Sequence, residues 1–193
     1  KRPPPKPMIF QVTGLPRSGT AFLAAFLNLH PECFCHHDLA AERDDWKEYS
    51  EYLNTTWEFV GESSTYGWLP RAARPGAPTV LVVRDPVEVN HSLEKILGRT
   101  AGLEPLIKAK EEAKKWADQT GAFVIDFKYL FQIETLNVLW QHVFQGSLVP
   151  FPVEKAKLMV TMNTQRQDPK RAFGDARFVR QRLLTPCTDT KPS

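Results

Sequence analysis

Near the start of the chain, "VTGLPRSGTAFL" (residues 12–23) has the residue types and spacing to hold an anion. Gly14, four residues, Gly19 and then Thr20 nearly fit G-x-x-x-x-G-K-[ST], in which backbone N–H groups at a helix start cradle a phosphate. No lysine stands between Gly19 and Thr20, and the nearby cation is Arg17. A second set follows at Arg84-Asp85-Pro86, with Ser92 eight residues beyond Arg84. A guanidinium can grip a phosphate with two hydrogen bonds and a serine can add one more. If Arg84 ends a strand and Ser92 lies two turns into the next helix, both can reach an anion at the glycine loop.

The elements needed to place these groups are readable as strands alternating with helices. "MIFQVT" (8–13), a short strand around "CFC", "WEFVGE" (57–62), "TVLVV" (79–83) and "AFVIDF" (122–127) are strand candidates. Helices are expected over 20–30, 39–53, 86–97, 104–119 and 134–144, with a last one in "VEKAKLMVTM". Pro31 closes the first, Pro86 opens the third, and the lysine-rich fourth reads as a solvated face. The 134–144 helix shows an apolar stripe of Leu136, Val138, Leu139 and Val143. The alternation predicts a three-layer α/β/α fold around a mostly parallel sheet, like that of P-loop nucleotide-binding proteins. A 193-residue chain suits one such domain, here residues 8–162 between a flexible segment 1–7 and a basic tail 163–193.

"GLPRSGTAFLAAFLNLHPE" and "VLVVRDPVEVNHSL" together resemble the motifs of sulfotransferases that use 3′-phosphoadenosine 5′-phosphosulfate. "VGESSTYGWLP" and "FVIDFKYLFQIETLNVLWQHV" extend the likeness, in the carbohydrate and tyrosylprotein direction, over about residues 8–145. The resemblance implies that Gly14, Pro16, Arg17, Ser18, Gly19 and Thr20 surround the phosphosulfate while Arg84 and Ser92 take the 3′-phosphate. It further implies sulfuryl transfer to a hydroxyl or amine of a small-molecule, carbohydrate or peptide acceptor, with 3′,5′-adenosine diphosphate as product and no metal. A sulfuryl group carries less negative charge than a γ-phosphoryl, so a loop without the lysine and Mg²⁺ is intelligible.

A base must take the acceptor's proton. The position matching the family's glutamate is Asp38, followed in rank by His37 and then His36; a capping role at Leu39 is the structural alternative for Asp38. Ser63 stands where carbohydrate-type members carry a lysine, so one cation is missing, and Glu62 has either a site or a structural role. Two other readings remain open. One is a P-loop kinase or NTPase, with Asp126 ending a Walker B strand; the other is a nucleotide-binding or structural protein without turnover.

Charge and cysteine content narrow the partners. The net charge is +3, and residues 163–193 hold seven Lys/Arg against three Asp. Basic ends with few interleaved aromatics do not make a nucleic-acid face. No apolar run approaches the roughly 20 residues that span a bilayer, and no apolar stretch follows the basic start, so a cytoplasmic chain without a membrane partner is expected. Cys33, Cys35 and Cys187 form no disulfide framework, and Cys33-x-Cys35-His36-His37 is too tightly spaced for a zinc cluster. Buried thiols on a strand are the simpler reading. The placement of the tail over the nucleotide site is left open.

Overall fold

A computed structural model describes residues 8–70 and 72–161. Five strands form one parallel sheet: β1 (Met8–Gly14), β2 (Cys33–His37), β3 (Phe59–Thr65), β4 (Thr79–Val83) and β5 (Phe123–Asp126), in the order β2-β3-β1-β4-β5. Parallel neighbours need long crossovers, and these carry the helices that cover both faces. They are α1 (Thr20–Leu27), α2 (Leu39–Glu42), α3 (Trp46–Leu53), α4 (Pro86–Leu97), α5 (Leu103–Thr120), α6 (Ile133–Val143) and α7 (Val153–Thr161).

Alternation along the strands assigns the layers. Phe10 and Val12 of β1, Val80 and Val82 of β4 and Ile125 of β5 pack with residues of α1, α6 and α7. Leu81 faces the other way, against Val89 and Leu93 of α4 and Leu106, Ala113 and Ala117 of α5. The fold is therefore a three-layer α/β/α sandwich, as the alternation of elements predicts. The connection leaving β1 runs toward β2 and that leaving β4 runs toward β5, although β1 and β4 are neighbours. Their carboxyl ends thus open a crevice between diverging connections, where α/β sheets bind ligands. Gly14 ends β1 at that crevice, and Arg84 follows β4.

Beside the crevice, β1 holds a turn-rich segment by polar contacts. Gln11 donates to the carbonyls of Gly67 (2.9 Å) and Ala72 (2.7 Å) and accepts from Arg74 N (3.2 Å), and Thr13 Oγ1 accepts from Gly67 N (2.7 Å). The buried Gln11 amide thereby satisfies its partners on a segment that has no ladder of its own.

Several boundaries differ from the expectations. Helix α1 stops at Leu27 instead of reaching His30, because Asn28 turns its amide onto both N and O of Cys35, each at 2.8 Å. The 39–53 helix is two helices, separated where Arg43 is extended and paired with Asp45. Strand β3 runs to Thr65, so Ser63 and Ser64 are strand residues. In α6 the buried fourth residue is Trp140, while Val138 is exposed. Helix α5 is charged outside but buries Leu106, Ala113 and Ala117. Cys33 and Cys35 are buried free thiols, and burial pushes both well above the usual thiol range. Among the described residues no helix is long and apolar enough to cross a membrane. The segment 1–7 and the basic tail lie outside the described residues.

Once outside the helix, His30 becomes a core residue. Its ring stacks on Phe144 (4.3 Å between centroids), Nδ1 accepts from Glu32 N (3.1 Å) and Nε2 bonds Ser147 Oγ (2.9 Å). Burial lowers its pKa from 6.5 to about 4. The unfolded chain therefore binds more protons between those values, and His30's contribution to stability, complete above pH 6.5, is lost as pH falls toward 4. Denaturant titrations from pH 7 to 4 are expected to show wild type losing roughly 1–3 kcal/mol more than His30→Leu. Parallel slopes for the two proteins would refute this.

Candidate functional site

The glycine loop is built by backbone conformation. Gly19 (φ 83°) precedes α1, whose first amides have neither an intrahelical partner nor a side-chain cap. Ser18 N closes a turn onto Leu15 O (3.2 Å). The Ser18 hydroxyl is buried with no hydrogen-bond partner among the described residues. Gly14 lies close against its β4 neighbour, and a Cβ there would sit 2.9 Å from Val82 O. Pro16 is half-buried at the turn.

Both sequence motifs converge on Arg17. Its Nε donates to Ser92 Oγ (3.3 Å), and its own carbonyl accepts from Arg84 Nη1. Arg84 lies over the Phe127 ring (4.0 Å to the centroid) and also reaches Glu88 (3.3 Å), leaving its side chain 12% exposed. Asp85 is not its partner. That carboxylate caps α4, accepting from the amides of Val87 (2.8 Å) and Glu88 (3.4 Å). Burial first, and the Arg84 charge second, lower the pKa of Arg17. Two guanidinium groups are thus held beside an uncapped helix start, an arrangement that attracts an anion.

The base candidates separate by strand face. His37 Nε2 is 3.2 Å from Thr20 Oγ1 and 3.5 Å from Asp38 Oδ2. His36, one residue earlier, points to the opposite face, where its ring meets Phe34 (4.5 Å) and Tyr49 (5.7 Å). It is therefore not at the loop, a correction to its candidacy as base. Asp38 precedes α2 but does not cap it; Oδ1 instead accepts from Thr65 N (3.1 Å). Ser63 is fully buried and donates to Thr20 O (2.7 Å). Glu62 is buried on the His36 side of the sheet, in register with Gln11 and His36. Asp126, on the outer strand β5, accepts from Lys128 N (3.0 Å) and pairs with the Lys128 ammonium (3.5 Å).

Sequence reasoning missed three contributors. Tyr66 follows β3 with φ 54° and donates its N–H to Gly14 O (3.0 Å). With Arg17 (φ 64°) and Asp38 (φ 56°) it completes the non-glycine positive-φ residues among those described, each just beyond one of β1, β2 and β3. Such strain gathers at functional sites. Phe127 and Glu88, which hold Arg84, are the others.

No protein-family model matches the chain. No curated protein matches it either. Among solved structures it is similar to a shikimate kinase from Bacteroides thetaiotaomicron, with a TM-score of 0.44 and 15% sequence identity, over 69% of this chain and 96% of that one.

A Cβ added to Gly19 would land on Leu130 Cδ2, and its φ disfavours any L side chain. Gly19→Ala is therefore expected to lower stability by roughly 1–3 kcal/mol in chemical denaturation. An unchanged midpoint would show that the loop is not held in this conformation.

Proposed function

We propose that this chain transfers a sulfuryl group from 3′-phosphoadenosine 5′-phosphosulfate to an acceptor hydroxyl or amine. The observation that carries the reading is the convergence of Arg84 and Ser92 on Arg17 at the head of α1. The donor set fits the phosphate oxygens of an anionic nucleotide. Arg17, Arg84, Ser92, Thr20 and the orphaned Ser18 hydroxyl all offer hydrogen bonds, while Glu88 faces the outer arginine and Asp38 stands behind His37.

In this reading the nucleotide supplies an activated sulfuryl group with a phosphate leaving group. Arg17 and the first amides of α1 bind and orient that end, and their fixed positive charge favours charge developing on the leaving oxygen. Arg84 and Ser92 hold the 3′-phosphate. Asp38, fixed through Thr65 N, accepts the acceptor's proton at Oδ2.

A kinase or NTPase reading is compatible with the same fold. It assigns metal chemistry to Asp126, whose carboxylate caps the 3₁₀ turn Phe127–Tyr129 and whose strand is separated from β1 by β4. The sulfuryl reading uses the side chains that meet at the loop.

Calorimetric titration is expected to give metal-independent binding of 3′,5′-adenosine diphosphate, weakened by roughly 1.5–3 kcal/mol in Arg17→Ala and in Arg84→Ala. Tighter, Mg²⁺-dependent binding of ATP would replace this reading with the kinase one. With labelled phosphosulfate and a screen of acceptors, Asp38→Asn is expected to retain nucleotide binding and lose turnover. Turnover equal to wild type would remove Asp38 as the base, and binding without turnover in wild type would make the chain a nucleotide-binding protein.

A further inference from the structure

We propose that His37 of β2 acts as a cation at the anion loop, beside the uncharged Ser63 of β3. The inference rests on the anion-binding reading above and assigns the site a charged imidazole.

Register places the two residues side by side. His37 pairs with Ser63 in the parallel β2–β3 ladder, and paired residues of a parallel ladder project to one face. Both side chains meet Thr20, Ser63 at its carbonyl (2.7 Å) and His37 at its hydroxyl (3.2 Å). Ser63 is fully buried and committed to that carbonyl. His37 is half-exposed at the first residue of the helix whose amides face the anion.

The contacts of one nitrogen indicate that Nε2 carries a hydrogen. Nε2 faces the Thr20 hydroxyl and Asp38 Oδ2 together. An unprotonated Nε2 could accept from Thr20 but would turn its lone pair toward a carboxylate oxygen; an Nε2–H is attracted to both oxygens. Asp38 cannot easily turn aside. Its φ is 56°, its N–H is held by Ser63 O (3.0 Å) and its Oδ1 by Thr65 N (3.1 Å).

An anion arriving at Thr20 adds a second negative neighbour, and opposite charge within a few ångströms favours the imidazolium. From the surrounding elements, Arg17 of the loop before α1 opposes that protonation and Asp38 supports it. Cys35, two residues back on the same strand face, stays neutral because burial raises its thiol. His36 and Glu62 lie on the other face of the sheet. Anion binding therefore takes up a proton at His37.

The test is titration of wild type and variants with 3′,5′-adenosine diphosphate, in buffers of different ionisation enthalpy. Wild type should take up a fraction of a proton near pH 7.5 that is absent in His37→Gln, and lose about tenfold more affinity than that variant between pH 6 and 8. The difference between proteins removes titration of the phosphates themselves. His37→Lys should keep the affinity at pH 8. Equal proton uptake in wild type and His37→Gln overturns the proposal. If the nucleotide does not bind wild type, the sulfuryl reading fails, and nuclear magnetic resonance of the wild-type His37 ring decides the cation role separately. Its titration midpoint should move to higher pH in saturating inorganic sulfate; an unmoved midpoint overturns the role.

Discussion

Two guanidinium groups share one turn of backbone in this protein, and much of the site is arranged around their repulsion. Arg84 donates to the carbonyl of Arg17, and burial together with the Arg84 charge disfavours the charged form of Arg17. Left in water, two such side chains would separate. Here they are held by the Phe127 ring beneath Arg84, by Glu88 on its outer side and by Ser92 against Arg17. The adjacency of β1 and β4 brings the two arginines together at all. Positive potential built in advance in a partly desolvated crevice is worth more to a bound anion than the same charges recruited on binding.

The opposite wall of the loop is a closed set of short contacts across three chain segments. Thr20 meets His37, His37 meets Asp38, Asp38 reaches back to Ser63 and Thr65, and Ser63 returns to Thr20. Asp38 sits there in a left-handed conformation that costs on the order of 1–3 kcal/mol and persists because its neighbours over-determine it. Tyr66, equally strained, ties the end of β3 to Gly14. The carboxyl ends of β1, β2 and β3 are thus tied to one another.

Local chemistry made part of this legible in the sequence. "TVLVV" is a strand because it is short and β-branched, and Asp85-Pro86 starts a helix because one residue caps it and the next has the required φ. The glycine loop and its partner at Arg84 and Ser92 were readable because each lies at a predictable offset from those elements. His36 and His37 were not separable, since adjacent strand residues take opposite faces and only the register against β3 says which one meets Thr20. The early end of α1 was hidden for a similar reason: Asn28 is locked by Cys35 on another element. Nothing local marks Tyr66, whose conformation depends on contacts with Gly14 and on the turn that Gln11 holds.

The contact between Gly19 and Leu130 links the glycine loop to the outer edge of the sheet. Leu130 follows the 3₁₀ turn beside β5, and its side chain fills the space a methyl at position 19 would need. Sequence change in the loop and in that distant turn is therefore not independent. A smaller residue at 130 would open room beneath the loop, whereas the backbone at 19 would still demand glycine. Drift at the edge of the sheet can loosen the glycine loop without altering any residue of the loop itself.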